Sequence, residues 1–541
     1  MILARLSRKE NAVTALVCKH WLEHSRDHIW RYVNNPKELF PLLVPVRNNT
    51  DELEPDFVRI PEPEDWRRFE PFARRVQTIV FGVIRSMSPS MASTLLRSCS
   101  RPNPIFPNLR HLLWSVNAPP TSNDSVHALF LHPGVRRLTL YNIDKNRITF
   151  EPYSLRSLFS DIISLAPHIS ELDIRPASPT PDAMTNLAVE LVSRLPTLTK
   201  LAIDPVLLTA SMIRALSKHE HLTEIVPMFD DVSWEARDPR DATGFATTSL
   251  DLAPDAFQAL VTLHLDMPIQ AVSRFLADQS NMSTRLQDLR VHVLDSANNA
   301  AVKELLTTIV SSCTNLLTLA LVLYPPIFVY RAIHAPPPEP LDAATLEPLR
   351  RMTQLERLVI HHIVATSIQE PELLSFIESF PSMHSLFLVP RPDWRRNPRL
   401  PAPSGFGLDT LAAILQRFPR IRKLGLYLDL TLVTANPSSS LLQSSSTLPS
   451  STLHSLHLGT TALPPNKTPA AIAFRLLALL GPQVRFFWGN KQKLRWGVPR
   501  PVYAEPSFES QLEQWAQVEK LLAFGFSVRS GVYSTDLDKP A

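Results

Sequence analysis

The chain has 541 residues, far more than one compact core accommodates, so it is either several domains or an elongated stack. Its formal net charge of +4 is a small excess of 55 basic over 51 acidic residues, which does not call for nucleic acid or an acidic membrane as a partner. Apolar residues make up 44%, which excludes wholesale disorder. Pro is 50 and Gly only 12, so phosphate-cradling loops are scarce and many elements are cut short. Cys18, Cys99 and Cys313 lack metal-ligand spacing, which argues for a reducing compartment and against zinc or a disulfide framework.

At the N-terminus, charges follow Met-Ile-Leu-Ala-Arg-Leu too soon for a signal peptide. Val13, Leu16 and Val17 form a helical stripe, and Trp21 and Trp30 are large anchors, so residues 11–33 predict a small amphipathic helix pair. The run Ala15-Leu-Val-Cys-Lys-His-Trp21, followed by Trp30-Arg, resembles the second half of an F-box, with Ile2, Leu3 and Leu6 as the tail of its first helix. The family's opening Leu-Pro-x-Glu has no counterpart, so the expectation is a box truncated in its first half, over residues 1–44. The resemblance implies docking on the small adaptor of a cullin–RING ubiquitin ligase, a protein of the S-phase kinase-associated family. It implies that Ile2, Leu3, Leu6, Leu16, Val17, Trp21 and Trp30 hold the box together or meet that adaptor. Residues 45–71, rich in Pro and acid and carrying Glu62-Pro-Glu-Asp65, read as a linker.

From residue 72 onward one phrase recurs: apolar, two variable residues, apolar, one variable residue, apolar. It is carried by Val76/Ile79/Phe81, Leu109/Leu112/Trp114, Val135/Leu138/Leu140, Ile169/Leu172/Ile174, Leu198/Leu201/Ile203 and Leu260/Leu263/Leu265. It continues at Leu286/Leu289/Val291, Leu316/Leu319/Leu321, Leu355/Leu358/Ile360, Met383/Leu386/Leu388, Ile421/Leu424/Leu426 and Leu453/Leu456/Leu458. A degraded copy has Leu222 and Ile225, with Pro227 in the third place. The end of the phrase alternates like a strand, and helix-spaced apolar residues precede it, as at Leu408, Leu411, Ala412, Leu415 and Phe418. The mean period is about 31 residues, with steps from about 24 to about 39. Proline stands two residues before the phrase at Pro107, Pro133, Pro167, Pro196, Pro381 and Pro419, where it stops the helix.

This pattern resembles the irregular leucine-rich repeats found behind F-boxes. The resemblance implies an α/β solenoid over residues 72–490, a curved parallel sheet with outer helices. The Asn or Cys that usually follows is replaced, for example by Ile143, Leu294 and Ile363. A doubly wound α/β domain alternates similarly, but the constant strand phrase and the absence of a Gly-rich nucleotide loop favour the solenoid. The variable positions of the phrase would line the inner face, with His264, Arg290, His292, Arg357, His361, Phe387, Lys423 and Tyr427 as candidate anchors for a target protein.

Leu305–Tyr330 is long enough to test as a membrane span, but Thr307, Ser311, Asn315 and Pro325-Pro326 favour a buried helix–strand unit. The loops 391–405, with Arg395, Arg396 and Arg399, and 436–452, rich in serine, interrupt the stack. Residues 470–480 and 509–524 read as helices, and Val484-Arg-Phe-Phe-Trp-Gly as a last strand. Residues 491–541 would form a closing cap and tail, to which Lys491, Lys493, Arg495, Trp496 and Arg500 are assigned in preference to a single-strand nucleic-acid site.

No Walker loop, GxSxG elbow, HExxH or CxxC pair is present, and His361 and His362, adjacent on a strand, would face opposite ways. The expectation is therefore a non-catalytic, cofactor-free and metal-free ligase subunit, cytoplasmic or nuclear, that binds a target protein and neither nucleic acid nor membrane. The alternative is a repeat scaffold outside the ligase system with a decayed box.

Overall fold

A computed structural model describes residues 3–48, 55–81, 89–98, 101–115, 126–141, 152–175, 182–203, 207–227, 250, 252–253, 255–295, 298–323, 339–362, 364–390, 405–432, 452–459, 461–464, 468–488 and 506–529. Ile2, Cys99, the Arg395–Arg399 cluster, the serine-rich stretch and the basic–aromatic run 491–500 lie outside the described residues. The described residues fall into two compact units, one within Met1–Met228 and Leu250–Leu260, the other from Val261 to Ala541.

The first unit starts with a helix pair, Arg8–Thr14 and Lys19–Arg31, which runs straight into a short strand, β1 (Tyr32–Val33). An antiparallel pair follows, β2 (Val46–Asn48) with β3 (Pro55–Phe57), and then the helix Pro63–Ala73. Within the expected linker at 45–71, the described residues 45–48 and 55–71 carry regular elements, with Phe57, Trp66 and Phe69 buried. Its Pro- and acid-rich motif is a helix start: Pro63 occupies the first turn, where its missing N–H is no loss, and the Asp65 carboxylate accepts from the Glu62 N–H at 2.9 Å. The Arg59 guanidinium, by its hydrogen bonds, holds the Asp65 carboxyl well below the usual carboxylate range, against the opposing effect of burial.

Six further strands are formed by the described residues of this unit: β4 (Thr78–Phe81), β5 (His111–Ser115), β6 (Arg137–Tyr141), β7 (Glu171–Arg175), β8 (Lys200–Ile203) and β9 (Glu224–Pro227). They pair in parallel in chain order, with β1 on the outer side of β4. The second and third apolar positions stay in register across neighbours, as Leu138 with Leu172 and Leu172 with Leu201. The degraded copy is a true rung, with Leu222 and Ile225 buried.

The described residues of the second unit form eight strands: β10 (Thr262–Met267), β11 (Asp288–Val293), β12 (Thr318–Leu323), β13 (Arg357–His362), β14 (Ser385–Pro390), β15 (Lys423–Leu426), β16 (Ser455–His457) and β17 (Arg485–Phe487). They also pair in parallel and in chain order. Between them run helices such as Ile269–Asp278, Asn299–Ser312, Glu370–Glu378 and Leu408–Arg417. The suspected membrane span is part of this pattern: a helix to Ser312, a turn, and β12, with 324–330 outside the described residues. Among the described residues no helix is long and apolar enough to cross a membrane. The helices Pro469–Leu479 and Pro506–Arg529 pack together, and Trp515 is buried and donates to the Thr461 carbonyl at 2.8 Å.

The architecture is an α/β solenoid of leucine-rich-repeat type, seen in each unit separately. All three apolar positions of all twelve intact phrases are buried. A fully buried Leu or Ile side chain stabilises by roughly 1.5–3 kcal/mol, so each rung supplies its own share of core.

The recurring proline has a second role beyond stopping the helix. At Pro107, Pro133, Pro196, Pro381 and Pro419 it is the second residue of a tight turn. There the residue before it accepts, through its carbonyl, the N–H of the first apolar position: Phe106 from Leu109 at 3.1 Å, Phe380 from Met383 at 3.1 Å, Phe418 from Ile421 at 3.1 Å. Proline fixes the φ that position needs. One backbone carbonyl per rung then accepts from two successive N–H groups of the next, as Gln77 does from Arg110 and His111, or Glu356 from His384 and Ser385. Before β7, β8, β14 and β15 the helix-to-strand side is therefore short, while before β5 and β16 residues 98–110 and 433–454 intervene. The strand-to-helix side varies, from Pro268 alone between β10 and its helix to residues 324–342 after β12.

Candidate interaction surfaces

At the N-terminus, Asn11 is buried and its Nδ2 lies within 3.1 Å of the carbonyls of Leu3 and Leu6, tying the first turn to the helix. Thr14 Oγ1 and Ser25 Oγ, 2.9 Å apart, join the two helices. One side of the pair is anchored. The Trp30 ring meets Phe72 edge-on at 5.7 Å, the Arg8 guanidinium lies 5.4 Å from the Trp30 centroid, and Arg75 donates to Asp27 at 2.8 Å. The other side is bare: Val13, Leu16, Val17 and Trp21 are 61%, 85%, 62% and 45% exposed. Four large apolar side chains so close in sequence and so exposed mark an interaction surface more readily than scattered ones do. Of the residues singled out from the sequence, Leu16, Val17 and Trp21 are presented outward. Trp30, Leu3 and Leu6 are half-buried in the supporting structure.

On the strands, the variable positions share the face opposite the helices, since alternate residues point to opposite sides. The position just before the second apolar residue is the more accessible one where it carries a charge: Arg137 and Lys423 are exposed, and Glu171, Lys200, Asp288 and Arg357 half-buried, whereas Ser385 and Ser455 at the same position are buried. The next two positions are largely closed over. This corrects part of the expected target surface: His264, His292 and Tyr427 are buried, at 2%, 1% and 4% exposure. Arg290, His361 and Phe387 are half-buried.

The buried part is organised. Burial pulls His264 below its ordinary value, and its Nε2 lies 2.7 Å from the Asp266 carboxylate. Burial alone would raise Asp266, but hydrogen bonds from His264 and from His292 on the next strand outweigh it and hold the carboxyl low. A histidine–carboxylate cluster can serve chemistry or coordination, but among the described residues no group of three or more His, Cys, Asp or Glu side chains has metal-binding geometry. Burial raises the Tyr427 phenol as well, and pushes Cys313 up to about 12.

The accessible row differs in character between the units. In the first, Arg137, Glu171, Lys200 and Glu224 are cross-strand neighbours of alternating sign. Arg137 pairs with Glu171 at 3.3 Å, and Lys200 with Glu224. In the second unit the row runs Thr262, Asp288, Thr318, Arg357, Ser385, Lys423, Ser455, Arg485, each in register with the next. Its one acid, Asp288, is paired with Arg290 at 3.2 Å, and from Arg357 onward the row carries cations and serines only. Arg485 escaped the sequence reading because its strand lacks the leucines of the phrase. Its only signal was the aromatic run Phe486-Phe487-Trp488.

No protein-family model matches the chain, and no curated protein matches it. Among solved structures, it is similar to a chain in a crystal structure of a TLR13–ssRNA13 complex, with a TM-score of 0.34 and 14% identity over 77% of this chain. It spans 55% of that chain's length. It is also similar to a protein from Bacteroides fragilis, with a TM-score of 0.23 and 13% identity over 55% of this chain and 69% of the other.

Proposed function

We propose that the chain is a substrate-recognition subunit of a cullin–RING ubiquitin ligase. The observation that carries this reading is the exposed apolar run Val13, Leu16, Val17 and Trp21 on a helix pair whose opposite side is fixed to the sheet. In the F-box resemblance Leu16, Val17 and Trp21 are among the positions that hold the box together or meet the adaptor, and an adaptor of the S-phase kinase-associated family would cover them with Val13 beside them. The solenoid would hold a target protein, with the accessible row of the strands as its contact face. The chain would perform no chemistry. It would raise the effective concentration of the target near the ubiquitin-carrying enzyme, in the cytoplasm or nucleus. Co-purification of the adaptor with the full chain, lost on Trp21→Ala, is the expected result; a chain that folds and recovers no adaptor overturns it.

A second reading is a repeat scaffold outside the ligase system. It is favoured by the way the helix Lys19–Arg31 continues into β1, which pairs with β4 and so caps the ladder. On that reading Trp21→Ala changes no partner.

A further inference from the structure

We propose that the row Arg357–Ser385–Lys423–Ser455–Arg485 binds an acidic segment of a partner protein, laid across the strands with a carboxylate at about every third residue. This rests on the reading that the solenoid holds a protein, and it specifies the kind of segment held.

Cations stand on alternate strands, with a serine between each two. Neighbouring strands are about 4.8 Å apart, so successive cations are spaced by roughly 9.6 Å along the row. An extended polyproline-type segment advances about 9.3 Å per three residues and returns its side chains to the same edge at that interval. A carboxylate at every third position would thus meet Arg357, Lys423 and Arg485 in turn.

Three observations support an external anion. First, none of the three cations has an ion-pair partner among the described residues, whereas in the first unit the equivalent row neutralises itself through Arg137–Glu171 and Lys200–Glu224. Glu356, beside Arg357 in sequence, is paired with His384 at 3.5 Å. Second, Ser385 is 1% exposed and its Oγ has no hydrogen-bond partner, and neither has Arg357 Nε, its neighbour in register. Buried polar atoms left without partners are costly and rare, and an incoming carboxylate would accept from both. Third, the next row along the same face is aromatic: Phe387 meets His457 edge-on at 4.9 Å, and His457 stacks on Phe487 at 4.3 Å. The His457 and Phe487 rings present faces to each other, which leaves fewer faces free for nucleobases and favours a peptide over single-stranded nucleic acid.

The test is fluorescence polarisation with the full chain and a labelled peptide of three Glu-Pro-Ser repeats. Saturable binding is expected, falling with added salt. Lys423→Glu combined with Arg485→Glu should weaken it roughly tenfold or more, with Lys423→Gln intermediate and all melting curves unchanged. An isomer with its glutamates contiguous should bind more weakly. Absence of binding, equal binding by the charge-reversed variant, equal binding of the isomer, or tighter binding of a single-stranded RNA lost on the same substitutions would overturn the proposal. Trp21→Ala should leave peptide binding intact, so failure of adaptor capture and failure of this row are read separately.

Discussion

The ring of Phe387 lies across Gly425, its neighbour in register on the next strand, so closely that a β-carbon at 425 would stand 2.3 Å from the ring's Cδ1. The glycine is there for the approach of the ring. Gly425→Ala should force Phe387 off its rotamer and cost about 1–3 kcal/mol. Chemical denaturation of Gly425→Ala, Phe387→Ala and the double variant measures it. The two changes should be non-additive, because removing the ring removes the clash.

The two tryptophans of the N-terminal helix pair should behave differently. Trp30→Ala loses the contacts with Phe72 and Arg8 and should destabilise the first unit by about 1–3 kcal/mol. Leu16→Asp, at a site 85% exposed, should change stability by less than about 0.5 kcal/mol while abolishing adaptor capture. Thermal melts paired with pull-downs separate the two effects.

Acid should begin to loosen the fold in the range where histidines titrate. Burial lowers His132, His219, His264 and His362 from their ordinary values, and His111 to about 4. A lowered histidine pKa means that, below an unfolded value of about 6.5, the unfolded chain binds protons the folded chain refuses. Stability should therefore be full above that pH and decline from about 6.5 towards 4. Melting temperature against pH tests this. His111→Gln should flatten the slope, and a profile without decline in that window would contradict the assignment.

Removing a rung's central leucine should damage its neighbours. Leu358 is fully buried, so Leu358→Ala should cost about 2–5 kcal/mol. Hydrogen exchange should accelerate first in β12 and β14, which share its register.

Much of this was legible in the sequence because each rung repeats the same physical demand. Three apolar positions must face one core, and every one of the twelve intact phrases meets it. The degraded copy also forms a strand, since Leu222 and Ile225 keep two of the three anchors. What was not legible has specific causes. Pro63 and its acidic neighbours resemble a linker in composition, and only their cap geometry makes them a helix start. Strand alternation says which face His264 and His292 take, but not how deeply that face is buried. The β1 strand has only two residues, too few for any periodic signal.

The variable connections on the strand-to-helix side account for much of the irregular period. A single proline joins β10 to its helix, whereas residues 324–342 separate β12 from the next helix, yet both strands keep their place. Chain length can thus be added or trimmed at one margin without disturbing the spacing of the leucines. A tag or a foreign loop grafted after Leu323 and ahead of Glu339 should be carried more readily than the same insert between Phe380 and Met383, which would sever the turn that sets the next strand.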